Sequence, residues 1–182
     1  MITLSEMFVL DLQIGPVRDV LMNSEDLISF KIVVGSRGEL PSLEISFTSS
    51  NVEVFKSMNE MNFLTLTYGR TLSNARINEW DFKFPSISKV GADKYKYDLT
   101  CLLRVPNYLS NSKVECYKGS SKSAIQAALA STGLILDAKV DCKDVMSWIR
   151  DTTVFKFIQD TYLRYWSGDE ETCAAVAVAL DL

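Results

Sequence analysis

A chain of 182 residues with 47% apolar and 23% charged residues suits one large or two small globular domains, and its 8 Gly and 4 Pro exclude a long low-complexity stretch. Lys plus Arg number 19 against 23 Asp plus Glu, a formal charge of -4 that argues against a dedicated nucleic-acid binder, whose affinity comes from neutralised phosphates. No apolar run approaches the roughly 20 residues that span a bilayer, and Met1–Leu12 has no basic region ahead of its apolar stretch, so neither a membrane span nor a secretory signal is expected.

The first hundred residues alternate with period two, as half-buried strands do. Phe8, Leu10, Leu12 and Ile14 share one face, and Gly15-Pro16 stops the run. Ser29 to Val34 predicts a second strand, and Gly35-Ser36-Arg37-Gly38 a turn whose glycines permit positive φ. Leu43, Ile45 and Phe47 alternate with Ser42, Glu44, Ser46 and Thr48, which predicts a strand with those three apolar side chains buried. Ser50-Asn51-Val52-Glu53 fits a capping box, followed by a short helix with Val52, Phe55 and Met58 toward the core. Further strands are expected over Phe63 to Tyr68, ended by Gly69, then through Trp80, Phe82 and Phe84 to Pro85, and over Tyr95 to Leu103, closed by Pro106. About six strands and one short helix favour a small antiparallel barrel or sandwich, and a barrel leaves no exposed strand edges.

Beyond Pro106 the pattern changes. Ser121 or Ser123 is placed to cap a helix with Ala124, Ile125, Ala128 and Leu129 on one face, ended by Gly133. Leu134 to Val140 reads as a short strand, and Val145, Trp148 and Ile149 as a helical turn. Thr152 or Thr153 caps a second helix with Val154, Phe155, Ile158, Tyr162 and Trp166 on one face, ended by Gly168; Thr172 to Leu180 reads as a strand. The expected fold is α+β: an antiparallel β-barrel over residues 1–106, then a mixed α/β region over 107–182 with two or three helices, this second region being incomplete.

Histidine is absent. That removes Ser-His-Asp and Cys-His nucleophilic sites and most zinc sites. Cys101, Cys116, Cys142 and Cys173 form no Cys-x-x-Cys pair, so free thiols in a reducing compartment are expected, without metal. Gly35-Ser36-Arg37-Gly38 lacks the spacing of a phosphate loop and reads as a hairpin turn. Asp169, Glu170 and Glu171 lack EF-hand spacing and read as a solvated turn. Ser120, Ser121 and Ser123 adjoin Lys122 directly, without the one-turn separation of a Ser-Lys pair, and read as helix caps. Trp80, Phe82, Phe84, Tyr95 and Tyr97 would make a stacking platform for bases or sugars only with a suitable surround, and core packing is the plainer reading. No catalytic, cofactor-binding or metal-binding residue is expected.

The stretches Phe30-Lys31-Ile32-Val33-Val34-Gly35 and Leu40-Pro41-Ser42-Leu43-Glu44-Ile45-Ser46-Phe47, then a short helix and Leu64-Thr65-Leu66-Thr67-Tyr68-Gly69, resemble the first barrel of the baseplate central hub proteins of contractile-tailed phages. Tyr117-Lys118-Gly119-Ser120-Ser121-Lys122-Ser123-Ala124-Ile125, Gly133-Leu134, and Trp148 followed by Phe155, Phe157 and Ile158 also look like that family. The resemblance runs from about Leu4 to Leu182. It is similar in fold to the N-terminal part of type VI secretion spike proteins. The resemblance implies a structural, non-enzymatic subunit of the virion tail baseplate, assembled in the host cytoplasm. It implies a homotrimer whose two barrels per subunit form a pseudo-sixfold ring, with tube and spike proteins as partners and no nucleic acid or membrane. This chain has room for one such barrel. The competing readings are a carbohydrate- or cell-wall-binding module that would expose Trp80 or Tyr95 in a groove, and a hydrolase built on paired carboxylates.

Overall fold

The computed structural model describes residues 8–18, 20–21, 24–110, 114–138, 142–164 and 177–178. They fall into two units. Among the described residues, one holds those up to Val33 together with Pro41–Arg104; the other holds Val34–Leu40 and those from Val105 to Val178.

Alternation produces the strands of the first unit. They are β1 (Phe8–Ile14), β2 (Leu27–Val33), β3 (Ser42–Ser49), β4 (Phe63–Gly69), β5 (Arg76–Phe82), β6 (Ser86–Lys89) and β7 (Tyr95–Leu103), with helix α1 (Val52–Glu60) between β3 and β4. All pairings are antiparallel, in the order β1-β4-β5-β7-β3-β2, and β6 lies beside β7. The sheet curls as a half-barrel. Among the described residues no ladder joins β1 to β2, so the expected β-rich domain is a curled sheet with two edges. The sheet buries Leu12, Ile14, Leu64, Leu66, Tyr68, Trp80, Phe82, Tyr97, Leu99 and Cys101. Leu43, Ile45 and Phe47 are buried there as their alternation predicts, and Glu44 is exposed. Phe47 stacks on its cross-strand partner Tyr97 with centroids 5.0 Å apart.

Three local expectations for this unit change. Asn51, not Ser50, caps α1: its Oδ1 accepts from Glu53 N–H at 2.9 Å. The buried face is then Val54, Ser57 and Met58, while Val52 and Phe55 are exposed and only Met58 of the expected trio faces inward. A capping residue one place later starts the helix at Val52, and an inward Ser57 keeps the buried stripe narrow. Phe84 does not continue β5. It stands after the strand at φ 52°, ahead of Pro85, and the chain re-enters the sheet as β6, which the sequence reading passed over.

The second unit contains β8 (Glu115–Gly119), α2 (Ser121–Leu129), β9 (Met146–Arg150) and α3 (Val154–Tyr162). β8 and β9 pair antiparallel, Glu115 opposite Arg150 and Tyr117 opposite Trp148. α2 buries Ala124, Ile125, Ala128 and Leu129 as expected. Its cap is Ser120 rather than Ser121 or Ser123, and it ends at Ala130, with Gly133 at φ 77° in the turn beyond. Thr153 caps α3, whose buried residues are Val154, Phe157, Ile158 and Thr161; Phe155 and Tyr162 are half-buried. The helical turn expected around Val145, Trp148 and Ile149 is strand β9. Their three-and-four spacing imitated a helix, but Trp148 and Arg150 are buried on one face and Ile149 is exposed on the other. β8 was not foreseen. Residues 134–138 of the expected short strand carry no regular structure. Val140, Trp166, Gly168 and the expected strand over Thr172 to Leu180 lie outside the described residues, apart from Ala177 and Val178.

Tyr108 ties together segments of this unit that are distant in sequence. Its hydroxyl donates to Gly38 O at 2.6 Å, its carbonyl accepts from Phe155 N–H at 3.1 Å, and its ring lies 6.0 Å from that of Phe155. The turn that supplies Gly38 has Arg37 at φ 58° and Gly38 at φ 77°, so the turn reading of Gly35 to Gly38 holds.

Burial pushes the phenols of Tyr68 and Tyr108 up to about 12. The folded state holds these protons more tightly than the unfolded chain, whose tyrosines titrate near ~10. The associated stability is complete below about pH 10 and is lost as pH rises toward about 12. We expect the unfolding free energy to fall above pH ~10 with a slope of up to ~1.4 kcal/mol per pH unit for each tyrosine. Denaturant melts at stepped pH check it, and Tyr108→Phe should make the slope shallower.

Candidate functional site

Three buried charged residues among those described, Arg150, Asp144 and Asp26, each anchor a polar cluster. In the second unit, Arg150 is 1% exposed although it is charged. Period-two alternation in β9 turns it to the side of Trp148, opposite Glu115 of β8. Its Nη2 donates to Glu115 Oε2 at 2.6 Å, Nε to the same oxygen at 3.2 Å and to Tyr117 Oη at 3.3 Å, and Nη1 to Thr152 O at 3.2 Å. Tyr117 donates its own hydroxyl to Glu115, and burial, helped by that bond, raises its pKa. The Tyr117 ring lies 5.6 Å from Phe157 of α3. The guanidinium therefore fastens β8 to the loop that leads into α3.

The second place is the start of α2. Ser120 Oγ accepts from Ser123 N–H at 3.2 Å, and Asp144 accepts from Ser121 N–H at 3.0 Å and Ser121 Oγ at 3.2 Å. The buried carboxylate meets the positive end of the helix and satisfies a first-turn amide. Ser120 to Ser123 thus act as helix-start residues. The third place is in the first unit, where buried Asp26 accepts from Lys94 Nζ at 2.8 Å and from Thr48 Oγ1 at 3.4 Å. At the surface of that unit Arg104 lies 4.3 Å over the Phe63 ring and pairs with Glu79 at 3.4 Å and Asp81 at 3.5 Å.

The polar groups at these places hold one segment of chain to another. Among the described residues no group of three or more His, Cys, Asp or Glu is placed to hold a metal ion. Asp169, Glu170 and Glu171 lie outside the described residues. The candidate aromatic platform is dispersed. Trp80, Phe82 and Tyr97 are core residues, while Tyr95 is exposed to 36% and Phe84 to 95%. Trp80 is fully buried, so it lines no sugar-binding groove. No helix among the described residues is long and apolar enough to cross a membrane.

What the fold does present is apolar surface. Strand β2, at one edge of the sheet, exposes Ile28 and Val33, followed by Val34. Val52 and Phe55 are exposed on α1. On the outer face of the β8–β9 ladder, Cys116 and Ile149 are opposite one another and exposed, with Val114 and Val145 beyond the ladder's ends. Sequence reasoning missed the Arg150 network because its members are far apart in the chain and β8 was not recognised. It missed the exposure of Phe84 because the residue continues the period of Trp80 and Phe82; the following Pro85 was the available signal.

Breaking a buried ion pair by removing one partner typically costs about 3–5 kcal/mol. Glu115 is 37% exposed at its side chain, and solvent softens the loss. Glu115→Ala should therefore destabilise the fold by about 2 kcal/mol in a urea melt, and the Arg150→Met/Glu115→Leu pair by less than the single change. Cys101, Cys116 and Cys142 are free thiols. Burial pushes the Cys101 thiol up to about 12. In the folded protein at pH 8 an alkylating reagent should label Cys116 and leave Cys101 untouched until denaturant is added, as read by peptide mass mapping.

No family model and no curated protein matches the chain. Among solved structures it is similar to the E. coli c3393 protein, described as a component of the type VI secretion system with structural similarity to the T4 bacteriophage tail proteins gp27 and gp5. The two share 11% identity with a TM-score of 0.46, over 74% of this chain and 42% of that one, so the chain spans less than half of that protein's length.

Proposed function

We propose that the chain is a structural subunit of a phage tail, a baseplate central hub component that links tail tube to spike through protein–protein contacts. The observation that carries this reading is the curled antiparallel sheet that ends in two strands, β1 and β2, without a ladder between them among the described residues. Unpaired strand edges and exposed apolar side chains are costly in water and suit a subunit that is covered by neighbours. The segment Phe30 to Gly69, on which the resemblance to hub barrels rests, runs as strand, turn, strand, helix and strand, the order that resemblance implies.

In this reading the curled half-barrel sheet belongs to the tube-like domain, residues 1–106, and residues 107–182 form the second domain. The mechanism is geometric. Curled sheets from a homotrimer stand side by side to form a ring that seats the tube on one side and the spike on the other, and the burial of extended surfaces holds them. The work is done by contact, without catalysis, cofactor or metal, and the protein resides in the tail baseplate of the virion.

Mixing the purified chain with the tube and spike proteins encoded beside it, followed by size-exclusion chromatography with light scattering, should give a stable complex with at least one of them. A chain that elutes apart from both at micromolar concentration, and is retained by cell-wall polysaccharide instead, would transfer the assignment to a sugar-binding module.

A further inference from the structure

The turn between β2 and β3 belongs to the second unit, although both strands it joins belong to the first. The chain leaves the first unit after Val33, runs through Val34–Leu40 and re-enters it at Pro41. Gly38 and Leu40 of this turn are buried. Arg37 and Gly38 are both left-handed, at φ 58° and 77°, and for Arg37 that conformation is strained. Strain of this kind persists where the surroundings fix the backbone.

What fixes it comes from far along the chain. Gly38 O accepts from the buried Tyr108 hydroxyl at 2.6 Å, and Arg37 O accepts from Gln159 Nε2 of α3 at 3.3 Å. These partners are 70 and 122 residues away in sequence. Tyr108 is fully buried and also holds the start of α3. Its carbonyl accepts from Phe155 N–H at 3.1 Å, an amide of the first helical turn that has no partner inside the helix. One residue therefore grips the turn with its side chain and the helix with its backbone. Ahead of the turn, β2 is an edge strand, paired only with β3 among the described residues. A strand with one partner and exposed side chains opens at low cost unless its ends are tied.

We propose that Val34–Leu40 is a clasp inserted into the second unit, and that its release opens the end of β2 and the start of α3 together. The second folding unit is then discontinuous. It consists of this turn together with residues from Val105, and residues from 107 onward do not complete it alone. The clasp is independent of the assembly role, since it concerns the stability of a single chain.

Hydrogen exchange of the full-length chain, read by mass spectrometry of its peptides, tests it with Tyr108→Phe, Gly38→Ala and Gln159→Ala. Tyr108→Phe keeps the ring, removes the hydroxyl and leaves a buried carbonyl unpaired. Exchange should rise about tenfold or more in residues 27–40 and by a similar factor in residues 154–158, and stay at the parent rate in β4 and β5. Gly38→Ala strains the turn from its own side, because an L side chain is disfavoured at φ 77°. It should accelerate the start of α3 as well as β2, although the two are distant in sequence. Gln159→Ala removes an exposed bond and should give the same pattern at a lower, few-fold amplitude. Acceleration confined to the turn in Tyr108→Phe and Gly38→Ala, with β2 or α3 at the parent rate, overturns the clasp. Equal acceleration everywhere, β4 and β5 included, marks global unfolding and overturns it too. If Tyr108→Phe does not fold, the pattern in the other two variants decides by the same criteria.

Discussion

β7 is the strand on which the first unit depends. One side of it carries β3 along an unbroken eight-residue register, from Ser42 opposite Leu102 to Ser49 opposite Tyr95. The other side is shared: Leu103, Leu102 and Cys101 pair with Trp80, Asp81 and Phe82 of β5, and residues 95–98 pair with β6. Two strands can share one side of a third only if the chain breaks between them, and the break falls at Lys83-Phe84-Pro85. The left-handed φ of Phe84 follows from that division. Proline cannot donate to a ladder, so its place between two ladder segments is one of the few a central strand position allows.

The same division sets how much of the fold was legible from the residues. Where a strand has one wet and one dry face, alternation located it: β1, β3, β4 and β7 lie where their apolar periods put them. Alternation cannot say which strands are neighbours. β3 lies beside β7 although more than forty residues separate them in sequence, and β1 and β2 become the outer strands for reasons of pairing, not composition. β6 escaped because its four residues, Ser-Ile-Ser-Lys, bring one apolar side chain and follow a proline. β8 and β9 escaped together. Each is five residues long, and each owes its place to the other through Tyr117 opposite Trp148 and Glu115 opposite Arg150.

Helix faces were legible only in part, for a related reason. A helix of nine residues makes little more than two turns, so moving the cap by one position rotates the inward face by about 100°. α2 was read correctly because small and apolar residues agree at Ala124, Ile125, Ala128 and Leu129. α1 was not, because Val52 and Phe55 are more apolar than the Ser57 that faces inward. Apolar residues left outside by such a rotation have to be explained by something other than the fold of the chain that carries them.

The buried charges and the exposed apolar residues fill different places in the fold. The buried charges, Arg150, Asp144 and Asp26, hold strands, a helix start and a loop of their own units. Among the described residues the accessible apolar features are the edge strand β2, Val52 and Phe55 on α1, and the corner at Phe84. Exposed apolar side chains scattered singly need no explanation. An exposed phenylalanine held in a costly conformation does, because selection for stability alone would favour glycine or asparagine at a left-handed position. The ring at position 84 is therefore better understood as part of a contact than as part of a core.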